Sequence, residues 1–147
     1  PGDPGYDPNV LHGLIVAPMD QSAGTQWGCV GITIPGAEGA GLGAGSENTN
    51  DIIANCNEAG TAARICAELE LNGYSDWYLP STAELNKLYI NRAAISGLAN
   101  AWYYWSSTEF IAPDGGDINA YNQSFSDGTI APAHKNSGLL VRAVRSF

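Results

Sequence analysis

The sequence predicts an α+β domain, with helices in the middle of the chain and strands at its two ends. Two or three helical segments with an apolar face lie between residues 48 and 91. Short runs rich in aromatic and β-branched residues, which are typical of strands, follow them. The apolar run "HGLIVAP" near the start has one comparable run, "GLLVRAVRSF", at the other end. We therefore expect the two ends to pair as strands and a small antiparallel sheet to complete the fold.

The opening segment "PGDPGYDPNV" is rich in Pro and Gly, which is typical of a linker. We predict a linker over residues 1–9 and a single domain over residues 10–147, a length that suits one hydrophobic core. Because the chain begins with Pro1 rather than Met, we expect it to be a piece of a longer protein whose targeting signals lie outside it. No apolar run approaches the roughly 20 residues that cross a bilayer, so no direct membrane insertion is expected.

The charge of the chain excludes some partners. Fifteen acidic and six basic side chains give a net charge of −9, which repels phosphate backbones and anionic membrane surfaces. Nucleic acid is therefore not an expected partner. Only 14% of the residues are charged, and 18 are glycine. This composition is typical of a fold with many loops.

The three cysteines differ in their surroundings. Cys66 falls on the apolar face of a predicted helix, "TAARICAEL", so we interpret it as a buried thiol. Cys29 and Cys56 remain, and we predict that they form a disulfide, which implies an oxidising compartment. No Cys-x-x-Cys motif is present, and His12 and His134 are far apart in sequence. A zinc site is therefore not expected.

The segment between residues 28 and 45, "GCVGITIPGAEGAGLGAG", is dense in glycine but lacks the pattern of a nucleotide-binding loop. We interpret it as a set of tight turns. The next segment, "NTNDIIANC", predicts a helix with its N-cap at Asn48, Thr49 or Asn50. "EAGTAARICAELELNG" predicts a second helix that stops at Gly73.

The stretch "LNGYSDWYLPSTAEL" predicts the start of a third helix. Ser81 and Glu84 have the spacing of a capping box, in which each side chain binds the backbone N–H of the other residue. Trp77 and Leu79 precede this cap in an extended segment. We predict that both are core residues, a structural role that we prefer to ligand stacking by Trp77.

The last third of the chain predicts strands. "WYYWSSTEF", "DINAYNQSFSDG" and "GLLVRAVRSF" are strand-like runs, and "IAPDGG" and "TIAPAHKNS" are predicted to join them. "SDG" is a turn of the hairpin type. Trp105 is expected to be buried in its strand. The rough alternation of the final run places Arg142 and Arg145 on the solvent side.

Several of these motifs, in this order, resemble the C-terminal domain of Legionella collagen-like adhesins. They are "YDPNVLHGLIVAPMDQS", "TQWGC", "NTNDI", "LNGYSDWYLPSTAELNKLY", "YYWSSTEF", "QSFSDG" and "VRAVRSF". The resemblance implies a C-type lectin-like fold with paired terminal strands, display on a bacterial surface or secretion, and ligand binding. The formylglycine-generating enzymes of related fold use cysteines in their later half, and none follows Cys66 here. A catalytic base would have to be His12 or His134, without a specific motif around either, so no enzyme activity is predicted.

We predict a non-enzymatic adhesin module that binds a glycan or peptide on a host or neighbouring cell. In a C-type lectin-like plan the late loops are free for this contact, and they carry polar and aromatic side chains: Glu109, Asp114, Asp117, Asn119, Tyr121, Asn122, Gln123 and Asn136. Oxygen donors at Asp114, Asp117, Asn119 and Asp127 either bind calcium or stay solvated, and both interpretations remain open. The alternative function is an assembly domain that caps a fibrous stalk. Oligomerisation would then come through the parent protein.

Overall fold

The computed structural model describes residues 13–147, and within them the α+β class is confirmed. The predicted linker, residues 1–9, lies outside the described residues. None of the described helices is long and apolar enough to cross a membrane. The helices are α1 (Ala44–Asn55), α2 (Ala62–Ala67) and α3 (Thr82–Ile90), with a 3-10 turn at Arg92–Ala94. The strands are β1 (Leu14–Val16), β2 (Ser22–Thr25), β3 (Tyr103–Phe110), β4 (Asn119–Ser124), β5 (Ile130–His134), β6 (Leu139–Val141) and β7 (Val144–Ser146).

The two ends of the domain pair as predicted. Strand β1 runs antiparallel to β7, with Leu14 opposite Ser146 and Val16 opposite Val144. The final run was predicted as one strand, but it forms two, because the chain leaves the larger sheet after β6 and joins β1 only in β7. Arg142 lies at this change of sheet and is buried, so its predicted place on the solvent side is wrong. Arg145 is half-buried, and its guanidinium binds the exposed Asp76.

The larger sheet has five strands in the order β2-β6-β3-β4-β5. The predicted turn at "SDG" is confirmed, because β4 and β5 form an antiparallel hairpin around it. The segment "TIAPAHKNS", predicted as a connection, instead supplies β5. Strand β5 contains Pro132, which is tolerated because β5 is at the edge of the sheet, where a missing backbone N–H costs no pairing.

Helix α1 begins at Ala44, a full turn before the predicted caps Asn48, Thr49 and Asn50. Its N-cap is Gly43, with a φ of 89° and no side chain of its own to cap the helix. The N–H of Gly43 donates instead to Glu84 Oε1 at 2.9 Å. The predicted cap is therefore wrong because a carboxylate from α3, distant in sequence, supplies the acceptor at this helix start.

Helix α2 is also shorter than predicted. It ends at Ala67, whereas the sequence predicted a helix running to Gly73. Leu71 and Tyr74 exchange backbone hydrogen bonds of 3.0 Å around Asn72 and Gly73, whose φ values are 55° and 81°. Two central residues with positive φ are characteristic of a tight hairpin turn. Gly73 therefore closes a turn rather than a helix.

The capping box of α3 is confirmed. The N–H of Glu84 donates to Ser81 Oγ, and the N–H of Ser81 donates to Glu84 Oε2 at 2.8 Å. The second oxygen of the same carboxylate binds Gly43, so Glu84 serves the starts of both α1 and α3. Glu84 is 1% exposed, so water does not compete for these bonds.

Ser81→Ala should lower the free energy of unfolding by about 1 kcal/mol, because it removes the side-chain acceptor at the start of α3. Urea denaturation followed by circular dichroism measures the change. Ser75→Ala, at an exposed position outside the helix, is the matched control and should stay within about 0.5 kcal/mol of the parent. Equal losses in the two variants would show that the cap contributes nothing.

The predicted core residues are buried. Trp77, Leu79 and Trp105 are at most 4% exposed, and all three belong to the cluster that packs between the helices and the larger sheet. Cys29 and Cys56 form the predicted disulfide. Cys66 is a buried free cysteine, and burial raises the pKa of its thiol. The thiol is therefore protonated and unreactive at neutral pH.

Candidate functional site

One face of the β4–β5 hairpin carries several of the predicted binding side chains. Asn119 lies opposite His134, and Tyr121 lies opposite Pro132. Residues directly opposite one another in an antiparallel pair project from the same face of the sheet. These four residues and Phe110, at the end of β3, form what we call the hairpin face.

The hairpin face is partly open to solvent and is organised around an aromatic pair. The rings of Phe110 and Tyr121 meet edge to face, with centroids 5.4 Å apart. Pro132 is exposed, and Tyr121, Asn119 and His134 are half-buried. Rings held by their neighbours lose little conformational entropy when they bind a ligand. The face therefore offers a preformed apolar surface with an amide and an imidazole at its edge.

Three of the predicted binding residues are buried instead, and the first is Glu109. Its carboxylate pairs with the ammonium group of Lys135, and both side chains are inaccessible to solvent. The backbone N–H of Ile34 donates to the second carboxylate oxygen at 2.9 Å. Burial raises the pKa of Glu109, and the hydrogen bond from Lys135 opposes that shift. Glu109 therefore joins parts of the buried structure, and the prediction that it contacts a ligand is wrong.

Asn122 and Gln123 are the other two. Asn122 is 6% exposed and its amide donates to Ala131 O at 2.8 Å, across the hairpin. Gln123 is 1% exposed and donates to Asn86 of α3 and to Gly128 O. Both amides hold the hairpin together or fix it to α3, so neither is free to bind a ligand as predicted.

The four predicted calcium ligands are not brought together. Asp114 and Asp117 lie in the loop between β3 and β4, next to Asn119 at the start of β4. Asp127 follows the other end of β4, about 20 Å away at 3.3 Å per residue. Its carboxylate accepts the N–H of Thr129 at 2.9 Å, and this bond lowers its pKa. Asp127 belongs to a turn, and the four-residue calcium site is wrong as a set.

One other possible metal-binding group within the described residues is blocked by a disulfide. Among residues 13–147, one group of histidine, cysteine and acidic side chains is close enough to share an ion: Cys29, Cys56 and Glu58. The two sulfurs are bonded to each other, so they offer no thiolate to a metal. Calcium binding through Asp114 and Asp117 stays a prediction.

Asn136, the remaining binding candidate among the described residues, lies next to His134 of the hairpin face. Asn136 is exposed after β5, and its N–H is 3.4 Å from His134 Nδ1. His12, the other possible imidazole base, lies outside the described residues. The sequence did not indicate Pro132 or Phe110 as site residues, and it indicated His134 only as a possible catalytic base, not as a binding residue. Because "TIAPAHKNS" was interpreted as a loop, the sequence did not predict that this segment pairs with β4 or which of its side chains share a face with Tyr121.

Comparison with known proteins agrees with the sequence motifs. A family model described as the Lcl C-terminal domain matches residues 19–145. A search of curated proteins found no match. The matched region contains every strand and helix from β2 to β6 and most of β7. The chain therefore belongs to the Lcl C-terminal domain family, the Legionella collagen-like adhesin family that its motifs resemble.

Proposed function

We propose that this domain is a non-enzymatic ligand-binding module of a secreted or surface-displayed bacterial adhesin, and that its contact surface is the hairpin face. Membership of an adhesin-associated family supports the class of function. We infer the location of the site from one observation: the half-buried side chains Asn119, Tyr121 and His134 form a row beside exposed Pro132. Aromatic and amide groups in such a row suit the apolar face and the hydroxyls of a sugar, or the side chains and backbone of a peptide.

The hairpin face is also well placed for contact. Strands β4 and β5 lie at one edge of the larger sheet, while the paired ends of the domain, β1 and β7, form a separate sheet. The amide contacts of Asn122 and Gln123 fix the hairpin, so binding would not have to order it first. The predicted C-type lectin-like relationship and calcium assistance remain part of this proposal.

Tyr121→Ala together with His134→Ala should weaken binding at least about tenfold, because these changes remove the central ring and the imidazole of the hairpin face. The parent domain is screened on glycan and peptide arrays, with calcium and with a chelator, and its best probe is titrated against both proteins. Loss of signal in the chelator would support calcium assistance.

Tyr103→Ala is the matched control for this experiment. Tyr103 is 49% exposed and lies on the same sheet, at the opposite end of β3 from Phe110. The Tyr103→Ala substitution should leave the affinity for the probe unchanged. Normal binding by the hairpin variant, with loss in the Tyr103 control, would place the site at the other end of the sheet. If no probe on either array binds and the domain self-associates in solution, the result would favour the stalk-capping alternative.

A further inference from the structure

Four exposed aliphatic residues lie on two loops that are joined by a backbone hydrogen bond. Val30 and Ile32 belong to the glycine-rich loop, and Ile111 and Ile118 begin and end the connection between β3 and β4; each is 40–50% exposed. The N–H of Gly31 donates to Asp117 O at 3.0 Å, which joins the loops. Because Phe110 pairs with Asn119, Ile111 and Ile118 are the next residues beyond that pair along the two chain segments. We call these four residues the loop surface.

The loop surface is fixed by buried interactions. Lys135 Nζ donates to Ile32 O, and the N–H of Lys135 donates to Ile118 O, both at 2.8 Å. The disulfide from Cys29 holds the same loop to the end of α1. One enclosed lysine therefore sets the positions of isoleucines on both loops. Preorganised side chains lose little entropy on binding, so they favour association.

Four carboxylates lie in or beside the two segments that form the loop surface. Asp114 and Asp117 lie in the connection that contains Ile111 and Ile118. The Glu58 carboxylate lies beside Gly28, and that of Asp51 lies against Gly36, at the two ends of the segment that carries Val30 and Ile32.

None of these four carboxylates belongs to an ion pair within residues 13–147, although Arg64 Nε donates to the backbone oxygen of Glu58 at 3.2 Å. The ion pairs there use four of the six basic residues and four other acids: Arg64 with Glu68, Lys135 with Glu109, Arg142 with Asp20, and Arg145 with Asp76. The other two basic residues, Lys87 and Arg92, lie in or just after α3. The loop surface therefore combines apolar area with neighbouring carboxylates that form no ion pair among the described residues.

We propose that the loop surface docks a basic amphipathic polypeptide segment, in which Lys or Arg alternates with aliphatic side chains. Exposed apolar groups that lie together are a common mark of an interaction site. A neutral apolar partner would desolvate the surrounding carboxylates without compensation, and an acidic partner would be repelled. A basic amphipathic segment satisfies both the aliphatic centre and the acidic border. This surface is separate from the side chains of the hairpin face, and the proposal does not depend on binding there.

The test uses fluorescence anisotropy with three short labelled peptides: alternating Lys and Leu, alternating Glu and Leu, and alternating Lys and Ser. The Lys–Leu peptide should bind with an affinity that falls as salt is raised. The other two should bind at least about tenfold more weakly, because each lacks one of the two required properties. Equal binding of the Lys–Ser peptide would overturn the proposal, since the aliphatic centre would then contribute nothing.

Two sets of variants locate the peptide. Asp114→Asn with Asp117→Asn preserves the shape of the border and should weaken binding of the Lys–Leu peptide about tenfold. Ile32→Ser with Ile118→Ser should weaken binding by the same factor. The circular dichroism spectrum of this second variant should match that of the parent, which shows that it is folded. Asp127→Asn, at the other end of β4, and Tyr121→Ala, on the hairpin face, should bind normally. An equal loss with Asp127→Asn would show attraction by net charge alone and would refute the site. A loss with Tyr121→Ala only would place the peptide on the hairpin face.

Discussion

Lys135→Met is expected to lower the free energy of unfolding by about 3–5 kcal/mol, because it removes one partner of a buried ion pair and leaves the other charge uncompensated. Lys135 Nζ donates to Glu109 Oε1 and to Ile32 O, and it lies 4.8 Å from the centroid of the Trp27 ring. Methionine fills similar volume and retains the apolar contacts. The loss therefore reports on the charge and its hydrogen bonds. Urea denaturation measured by Trp fluorescence gives the change.

The pH dependence separates the charge from simple packing. Without Lys135, the Glu109 carboxyl remains in a site that disfavours its ionised form, so its pKa in the folded state lies above the value in the unfolded chain. The cost of burying the charge is then largest above the folded-state pKa and declines as the pH falls toward the unfolded value of about 4.3. Lys135→Met should consequently lose less stability at acidic than at neutral pH.

A double variant provides the control. Glu109→Gln added to Lys135→Met removes the stranded charge but keeps an acceptor for the Ile34 N–H, so part of the stability should return. A loss below about 1 kcal/mol in the single variant would contradict the importance assigned to the pair. So would a single and a double variant of equal stability, because the cost would then come from packing.

Arg142→Met should also cost about 3–5 kcal/mol. Its guanidinium donates to Asp20 Oδ1 at 2.7 Å, to Ala17 O at 2.8 Å and to Gly97 O at 2.5 Å. It therefore connects the segment after β1 with the loop before β3. Tyr104 donates to the same Asp20 carboxylate, so the network would lose its central donor. Urea denaturation measures the effect.

Two substitutions control for the Arg142 result. Arg142→Lys keeps the charge but cannot reach all of these acceptors with the fixed geometry of a guanidinium, so it should recover only part of the loss. Arg145→Met breaks the ion pair with exposed Asp76, where solvent screens the charges, and it should cost much less. Similar losses in Arg142→Met and Arg145→Met would show that burial of Arg142 has no special role.

The features that the sequence predicted correctly are mostly local. The capping box of Ser81 and Glu84 depends on residues three apart, and the strand at "WYYWSSTEF" depends on a continuous run of strand-forming residues. The disulfide between Cys29 and Cys56 followed once Cys66 was assigned to a helical face. The pairing of the two ends was predictable because each end contains an apolar run, and the chain offers few other runs with which either could pair.

The candidate site was predicted only in part. Asn119 and Tyr121 are half-buried, so part of each side chain remains exposed, whereas Glu109 is buried. A carboxylate in a polar late segment is normally solvated, and its burial here depends on Lys135, 26 residues further along the chain. Nothing in the spacing of the two residues indicates that they meet. The same reasoning applies to the start of α1, where the acceptor comes from Glu84.

The sequence by itself determined the elements whose information is local: the class of fold, the helix cap of α3, the turn between β4 and β5, and the family motifs. Only the tertiary structure decided which polar side chains are buried and which remain free to bind. A charged group can be buried only where partners compensate its lost hydration. For Glu109 and Arg142 those partners come from distant parts of the chain, so burial is a property of the assembled fold.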